Sequence, residues 1–167
     1  EALKHDFPLI IGSVFQLEAS LLNPQLGQMR IIALVQNRDG YGNLCELISL
    51  ARMRANTVKG SYLISPEDFS HPPEGLHHIA GLPDCLLILV PDYPLKPDIV
   101  RAQAAWMARH FPQRAWLGLH LLTQAMDDWQ QQHLLDIAGE VDLPVVAIGN
   151  VCMHVRSRKP LQDTLTA

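Results

Sequence analysis

From Cys85 to Ile148, three short apolar runs alternate with two stretches of helical periodicity, and no other feature restricts the fold as strongly. The runs are Cys85–Val90 (CLLILV), Ala115–Leu119 (AWLGL) and Leu143–Ile148 (LPVVAI), each of strand length and bounded by turn residues. Pro97 opens the first intervening helix, with Ile99, Val100, Ala104, Met107 and Phe111 in register. Asp127 and Asp128 begin the second, whose inner face uses Trp129, His133 or Leu134, Ile137 and Ala138. Pro160 and Leu161 stand at the entry to a third. Strand, helix, strand, helix, strand, helix implies a parallel sheet joined by right-handed crossovers. The β-branched content of the last run marks a strand buried on both faces.

The first half does not repeat that rhythm. Pro8–Phe15 (PLIIGSVF) reads as a buried strand broken by Gly12, and Arg30–Val35 as a second, the two forming a hairpin punctuated by Asn23, Pro24 and Gly27. Asn37-Arg38-Asp39-Gly40 reads as a turn before a helix with an apolar stripe of Leu44, Leu47, Ile48 and Ala51. Arg52, Arg54 and Lys59 fall near its negative pole. Ser65-Pro66-Glu67-Asp68 has the pattern of a helix start, with Ser65 as N-cap. His71–Pro83 reads as an irregular surface segment. Strands this close together need antiparallel pairing, so the expected class is α/β with a mixed sheet that becomes parallel from Cys85 onward. It is either a doubly wound sheet or an arc of a barrel.

With 167 residues, 48% of them hydrophobic and 18% charged, the chain can build one domain core. A net charge of −4 gives no global attraction to nucleic acid or an anionic membrane. No apolar run is long enough to span a bilayer, and Cys45, Cys85 and Cys152 are too few and too scattered for a disulfide framework. A cytoplasmic protein is expected. Glu1–His5 reads as the tail of a helix and residues 160–167 as the start of one, so a piece of a longer polypeptide is expected.

In α/β proteins chemistry collects where strands end in loops. The stretch after Ile148 is the first place to look, because it brings Asn150, Cys152, His154, Arg156, Arg158 and Lys159 together. His120 occupies the corresponding place after the middle strand.

The run Met153–Thr166 (MHVRSRKPLQDTLT) resembles the bacterial error-prone DNA polymerases of the C family, relatives of the replicative polymerase III alpha subunit. Pro8–Ser13 (PLIIGS), Asp39–Leu44 (DGYGNL) and Lys59-Gly60 agree in order and spacing. The matching region is the amino-terminal PHP (polymerase and histidinol phosphatase) domain. The resemblance implies a distorted, PHP-type β/α-barrel with outer helices, here incomplete: residues 1–167 would be one fragment of that domain, without its first strands or any polymerase domain. Active members hydrolyse phosphoesters with divalent metals, in some polymerases as a 3′–5′ proofreading exonuclease. Carried over by residue, the family's glutamate falls on Val14 and its late Asp-x-His on Asn150 and Cys152. Valine has no lone pair to give, an amide does not offset cation charge, and a thiolate suits zinc better than manganese or magnesium. The expected site is therefore degenerate, with no cofactor in this fragment, while an intact PHP domain would take Mn, Mg or Zn.

Each remaining candidate has an ordinary reading beside the functional one. His154 could act as a catalytic or ligating histidine near Cys152, and His120 as a lone ligand; both read more simply as loop histidines. His71, His77 and His78 lack an acid or thiol at ligand spacing. Arg156, Arg158 and Lys159 could meet DNA phosphates, against a solvated helix entry or ion pairs within a larger protein. Cys152 could be a reactive thiol beside the arginines, but no partnered base is recognisable. Trp106, Trp116 and Trp129 read as core residues, and Gly40-Tyr41-Gly42 lacks the lysine of a phosphate-binding loop. The first expectation is a scaffold domain of a polymerase that copies damaged DNA during damage-induced mutagenesis. The rivals are a metal-dependent phosphoesterase or exonuclease, and a module that recruits damage-response proteins. Expected partners are the remaining polymerase chain, DNA through that parent and, for the isolated piece, a second copy. No membrane contact is expected.

Overall fold

Side-chain alternation along the strands decides which face of the sheet is dry. A computed structural model describes residues 2–55, 60–121, 124–149, 151 and 153–166. Its strands are β1 (Gly12–Leu17), β2 (Met29–Val35), β3 (Cys85–Val90), β4 (Ala115–Leu119) and β5 (Val145–Ala147). They form one open sheet in the order β1-β2-β3-β4-β5. β1 with β2 and β2 with β3 are antiparallel, while β3, β4 and β5 are parallel, so β2 alone runs against the other strands. One register row, Phe15–Ile31–Leu89–Leu117, points into the core, and its four side chains are buried.

Helices cover that face. They are α1 (Arg38–Arg54), α2 (Glu67–Ser70), α3 (Pro97–His110) and α4 (Asp127–Val141); a further helix, α5 (Lys159–Thr166), contributes no described residue to the buried core. Leu44, Leu47 and Ala51 of α1, Val100, Ala104 and Met107 of α3, and Leu134, Ile137 and Ala138 of α4 join the inward strand residues in one cluster. Each buried Val, Leu, Ile or Met among them contributes about 1.5–3 kcal/mol of transfer free energy, and each alanine less. The next row, Val14–Ile32–Ile88–Trp116, lies on the opposite face, where Val14 is exposed and Ile32 and Trp116 are half-buried.

Ion pairs and caps fix the helices. The Asn37 side chain accepts a hydrogen bond from the Gly40 N–H at 2.9 Å. Residues 38–40 are therefore the first turn of α1, and the turn expected at Asn37–Gly40 is its cap. At the other end Arg54 pairs with the buried carboxylate of Asp68, which also accepts from the Ser65 N–H at 2.9 Å. Lys59 lies outside the described residues. Ser65 makes no side-chain cap: the cap residue is Pro66, α2 is a single turn, and the Ser65 hydroxyl faces the Asp68 carboxylate at 3.5 Å.

Several expectations need correction. The first strand starts at Gly12, and Phe7, Leu9, Ile10 and Ile11 are exposed, because β1 is an edge strand with no further strand beside it among the described residues. β5 spans three residues, two of them half-buried and Ala147 exposed, for the same reason: it is the opposite edge. Trp129 points outward and packs on His133 with ring centroids 4.0 Å apart, while Leu134 takes the inner position. Trp116 sits on the open face and is half-buried. The segment 71–83 is irregular but reaches the core, since Ile79 and Leu82 are fully buried. No helix among the described residues is long and apolar enough to cross a membrane.

Candidate functional site

On the uncovered face, at the carboxyl ends of the parallel strands, lies a groove of about 580 Å³. Val14 and Arg30 line it from the antiparallel side, Asp92 and Tyr93 from the loop after β3, His120 from the end of β4 and Ile148 from the end of β5. Gly118 shapes the floor. A Cβ there would lie 2.5 Å from the Ile148 Cδ1 and 2.9 Å from the Leu89 carbonyl oxygen, so only glycine lets Ile148 fold across β4.

Arg30 is the groove's permanent cation. Its Nη2 lies 3.3 Å from Asp92 Oδ1, and its Nε–H donates to Gln16 Oε1 at 3.3 Å. The guanidinium thus links β1, β2 and the loop after β3. The His120 N–H donates to the Tyr93 hydroxyl at 3.4 Å, and the two rings meet edge to face with centroids 6.3 Å apart. Burial pushes the Tyr93 phenol above its ordinary value, and Asp127 adds to the shift while the His120 N–H opposes it. The phenol therefore stays a neutral hydrogen-bonding group at neutral pH.

These residues do not fit a two-cation centre. Val14 offers no donor, and the carboxylate of Asp92 already faces a guanidinium whose charge opposes a divalent ion. No group of three or more His, Cys, Asp or Glu among the described residues could hold a metal.

The structure unites only part of the predicted set. Val14 and His120 meet in the groove. Asn150 and Cys152 lie outside the described residues. His154 is exposed and does not line the groove. Arg156 and Arg158 form a short exposed turn leading into α5, and Lys159 pairs with Asp163 at 2.7 Å. His77 and His78 are exposed, and His78 pairs with Glu46 at 2.7 Å. Sequence reasoning missed Arg30, Asp92 and Tyr93. Arg30 looked like one polar residue at the head of a run of five apolar ones, Ile31–Val35, whose lack of alternation leaves its face unmarked.

Fold and groove together define a mixed α/β sheet, helix-covered on one face, with a cleft at the strand ends that carries Arg30, Asp92, Tyr93 and His120 among apolar side chains. The chain is similar along its length to the error-prone DNA polymerase of Bordetella parapertussis, 47% identical over 167 residues, which is 100% of this chain and 15% of that relative. It is 43% identical over 164 residues to the protein of the same name from Burkholderia mallei, covering 96% of this chain and 15% of the relative. For the error-prone DNA polymerase of Pseudomonas aeruginosa the identity is 39% over 166 residues, covering 99% of this chain and 14% of the relative. The chain therefore spans about 15% of the length of the curated relatives it matches. No protein-family profile matches it.

Proposed function

We propose that this chain is part of a PHP-type domain in an error-prone DNA polymerase, where it serves as a scaffold bracing the catalytic regions and not as a metallohydrolase. The observation that carries the reading is the groove chemistry: Val14 and the Arg30–Asp92 pair occupy a place where a phosphoesterase would need free acids. Similarity to proteins named error-prone DNA polymerase supports the parentage. DNA synthesis past lesions belongs, on this reading, to the remaining polypeptide, which is the domain's first partner. The uncovered sheet face supports a barrel completed by strands beyond those seen in this chain.

Metal analysis and a nuclease assay test the scaffold role. The full-length polypeptide, purified in Mn²⁺ and Zn²⁺, is expected to carry no stoichiometric metal attributable to this domain. It should also release no nucleotides from single-stranded DNA in a manner sensitive to Asp92→Asn or His120→Ala. Stoichiometric metal, together with nuclease activity lost in those variants, would establish the rival phosphoesterase.

Exposed Phe7, Leu9, Ile10 and Val14 beside the β1 edge form an association hazard in the isolated chain. We expect it to pair with a second copy or exchange segments. Light scattering that shows only monomer at high concentration would rule this out.

A further inference from the structure

The outer edge of β1 is closed along one half and open along the other. The Val35 N–H donates to the Ile11 carbonyl at 2.8 Å, and the register sets Gly12 opposite Leu34. In an antiparallel ladder that phase turns the backbone groups of Ile11, Ser13, Phe15 and Leu17 toward β2, and those of Gly12, Val14 and Gln16 away from it. In the second half of the strand the outward donors are taken. The Gln16 N–H donates to the Tyr62 hydroxyl at 2.9 Å, and the Glu18 N–H to the Ile64 carbonyl at 2.8 Å. In the first half, the outward N–H and C=O of Gly12 and Val14 meet no described residue.

Continued back along the chain, the same alternation gives Ile10 the next outward pair. Pro8 ends the row, because it has no N–H to offer. Ile10, Gly12 and Val14 therefore make a slot of hydrogen-bonding positions, shut by Pro8 at one end and by Tyr62 at the other.

The slot reads the same in both directions about Gly12. A second β1 laid antiparallel, with its own Gly12 opposite this one, sets Ile10 against Val14 of the second copy and Val14 against Ile10. Every outward N–H and C=O in both slots then finds a main-chain partner. The side chains agree with the backbone. Ile10 is 70% and Val14 56% exposed, and alternation sets both on the uncovered face of the sheet. Across the new junction they stand directly opposite each other, one aliphatic cross-strand pair on each side of the two-fold axis. Gly12, on the axis, has no side chain to obstruct the approach.

Other occupants match less of this. A nucleic-acid strand carries no alternating N–H and C=O at strand spacing, and no cation stands in the slot to attract its phosphates. A helix has its main-chain groups paired within itself. An extended peptide of another sequence would meet the backbone without bringing the matched isoleucine and valine.

We propose that the slot at residues 10–14 binds a second copy of this chain, the two β1 strands pairing antiparallel about Gly12 to make one continuous sheet with isologous contacts. This gives the association expected of the isolated chain one edge and one register, and it does not depend on the scaffold reading.

Sedimentation equilibrium of the 167-residue chain tests it. The parent chain is expected to show a reversible monomer–dimer equilibrium that dissociates on dilution, because so short an edge buries less than a standard interface. Val14→Pro removes one outward N–H and spares the β1–β2 ladder, since proline is accepted on an edge strand. The dimer should weaken at least about tenfold. Ile10→Lys and Val14→Glu, each alone, should weaken it by a similar factor. Combined in one chain they should restore it, because the register brings each introduced lysine against an introduced glutamate. Both positions are exposed, and circular dichroism with melting temperatures checks that the variants stay folded. A monomeric parent chain, a dimer indifferent to Val14→Pro, or a combined variant no tighter than the single ones would each overturn the proposal. A dimer that ignores all of these substitutions would overturn this pairing while leaving the association itself standing.

Discussion

Replacing Gly40 by alanine is expected to destabilise the chain by about 3 kcal/mol, the upper range for forcing extra atoms into a packed site. Gly40 is buried in the first turn of α1, where the helix presses on the chain entering β3. A Cβ at this position would lie 2.1 Å from the Asp84 carbonyl oxygen and 2.8 Å from its carbon. Neither contact is the yielding tip of a side chain. The helix start must move, and that motion loosens the Asn37 cap and the Asn37–Asp84 hydrogen bond of 2.9 Å. With a urea dependence of about 2 kcal/mol per molar, the unfolding midpoint should fall by about 1.5 M. Gly42→Ala supplies the control two positions on. No atom stands within 4 Å of its added Cβ, so only helix propensity changes, and stability should rise by about 0.5–1 kcal/mol. Opposite signs for the two substitutions would confirm the close approach of α1 to Asp84, and equal midpoints would refute it.

Arg114→Met is the second large effect. The guanidinium donates from Nη1 to the carbonyls of Leu82 and Cys85 at 2.8 and 2.9 Å, and from Nη2 to that of Gly81 at 2.9 Å. Gly81, Leu82 and Asp84 all have positive φ, of 65°, 43° and 58°, so this segment departs from regular structure as it enters the sheet. Leu82 is nonetheless fully buried. Arg114 substitutes for the missing ladder. Methionine would keep much of the stem's packing and strand three acceptors. Hydrogen bonds to a charged donor are worth about 1.5–3 kcal/mol each and do not add fully, so a loss of about 3 kcal/mol is expected. For a domain of this size that is about 6–12 °C in melting temperature. Arg114→Lys should recover part of it, because one ammonium cannot span the fork that a planar guanidinium reaches. A methionine variant melting within about 2 °C of the parent chain would show that these carbonyls need no such donor.

Both predictions concern the passage into β3, where sequence reading saw least. His71–Pro83 carries no period, and its Gly and Pro residues name turns without saying what they pack against. Only the folded chain shows that Ile79 and Leu82 enter the core and that Arg114, distant in sequence, donates to the carbonyls of Gly81, Leu82 and Cys85. By contrast, Cys85–Val90, Pro97–His110 and Ala115–Leu119 stand where their patterns place them, because long-range packing reinforces the local signal there. The edges misled for one reason. An apolar run reads as buried, but Pro8–Ile11 stays outside the sheet and exposed, and β5 is an edge strand paired on one side among the described residues.

The groove was half legible. Val14 and His120 followed from the family resemblance and from the rule that strand ends carry chemistry. Arg30, Asp92 and Tyr93 did not, since nothing local marks an arginine that reaches across two strands. The order of strands and helices from Cys85 onward was determined by the chain itself, through periodicities set by backbone geometry. Which residues meet in the cleft, and which glycines touch another backbone, was decided only by tertiary packing, because both depend on register and approach between segments far apart in the chain.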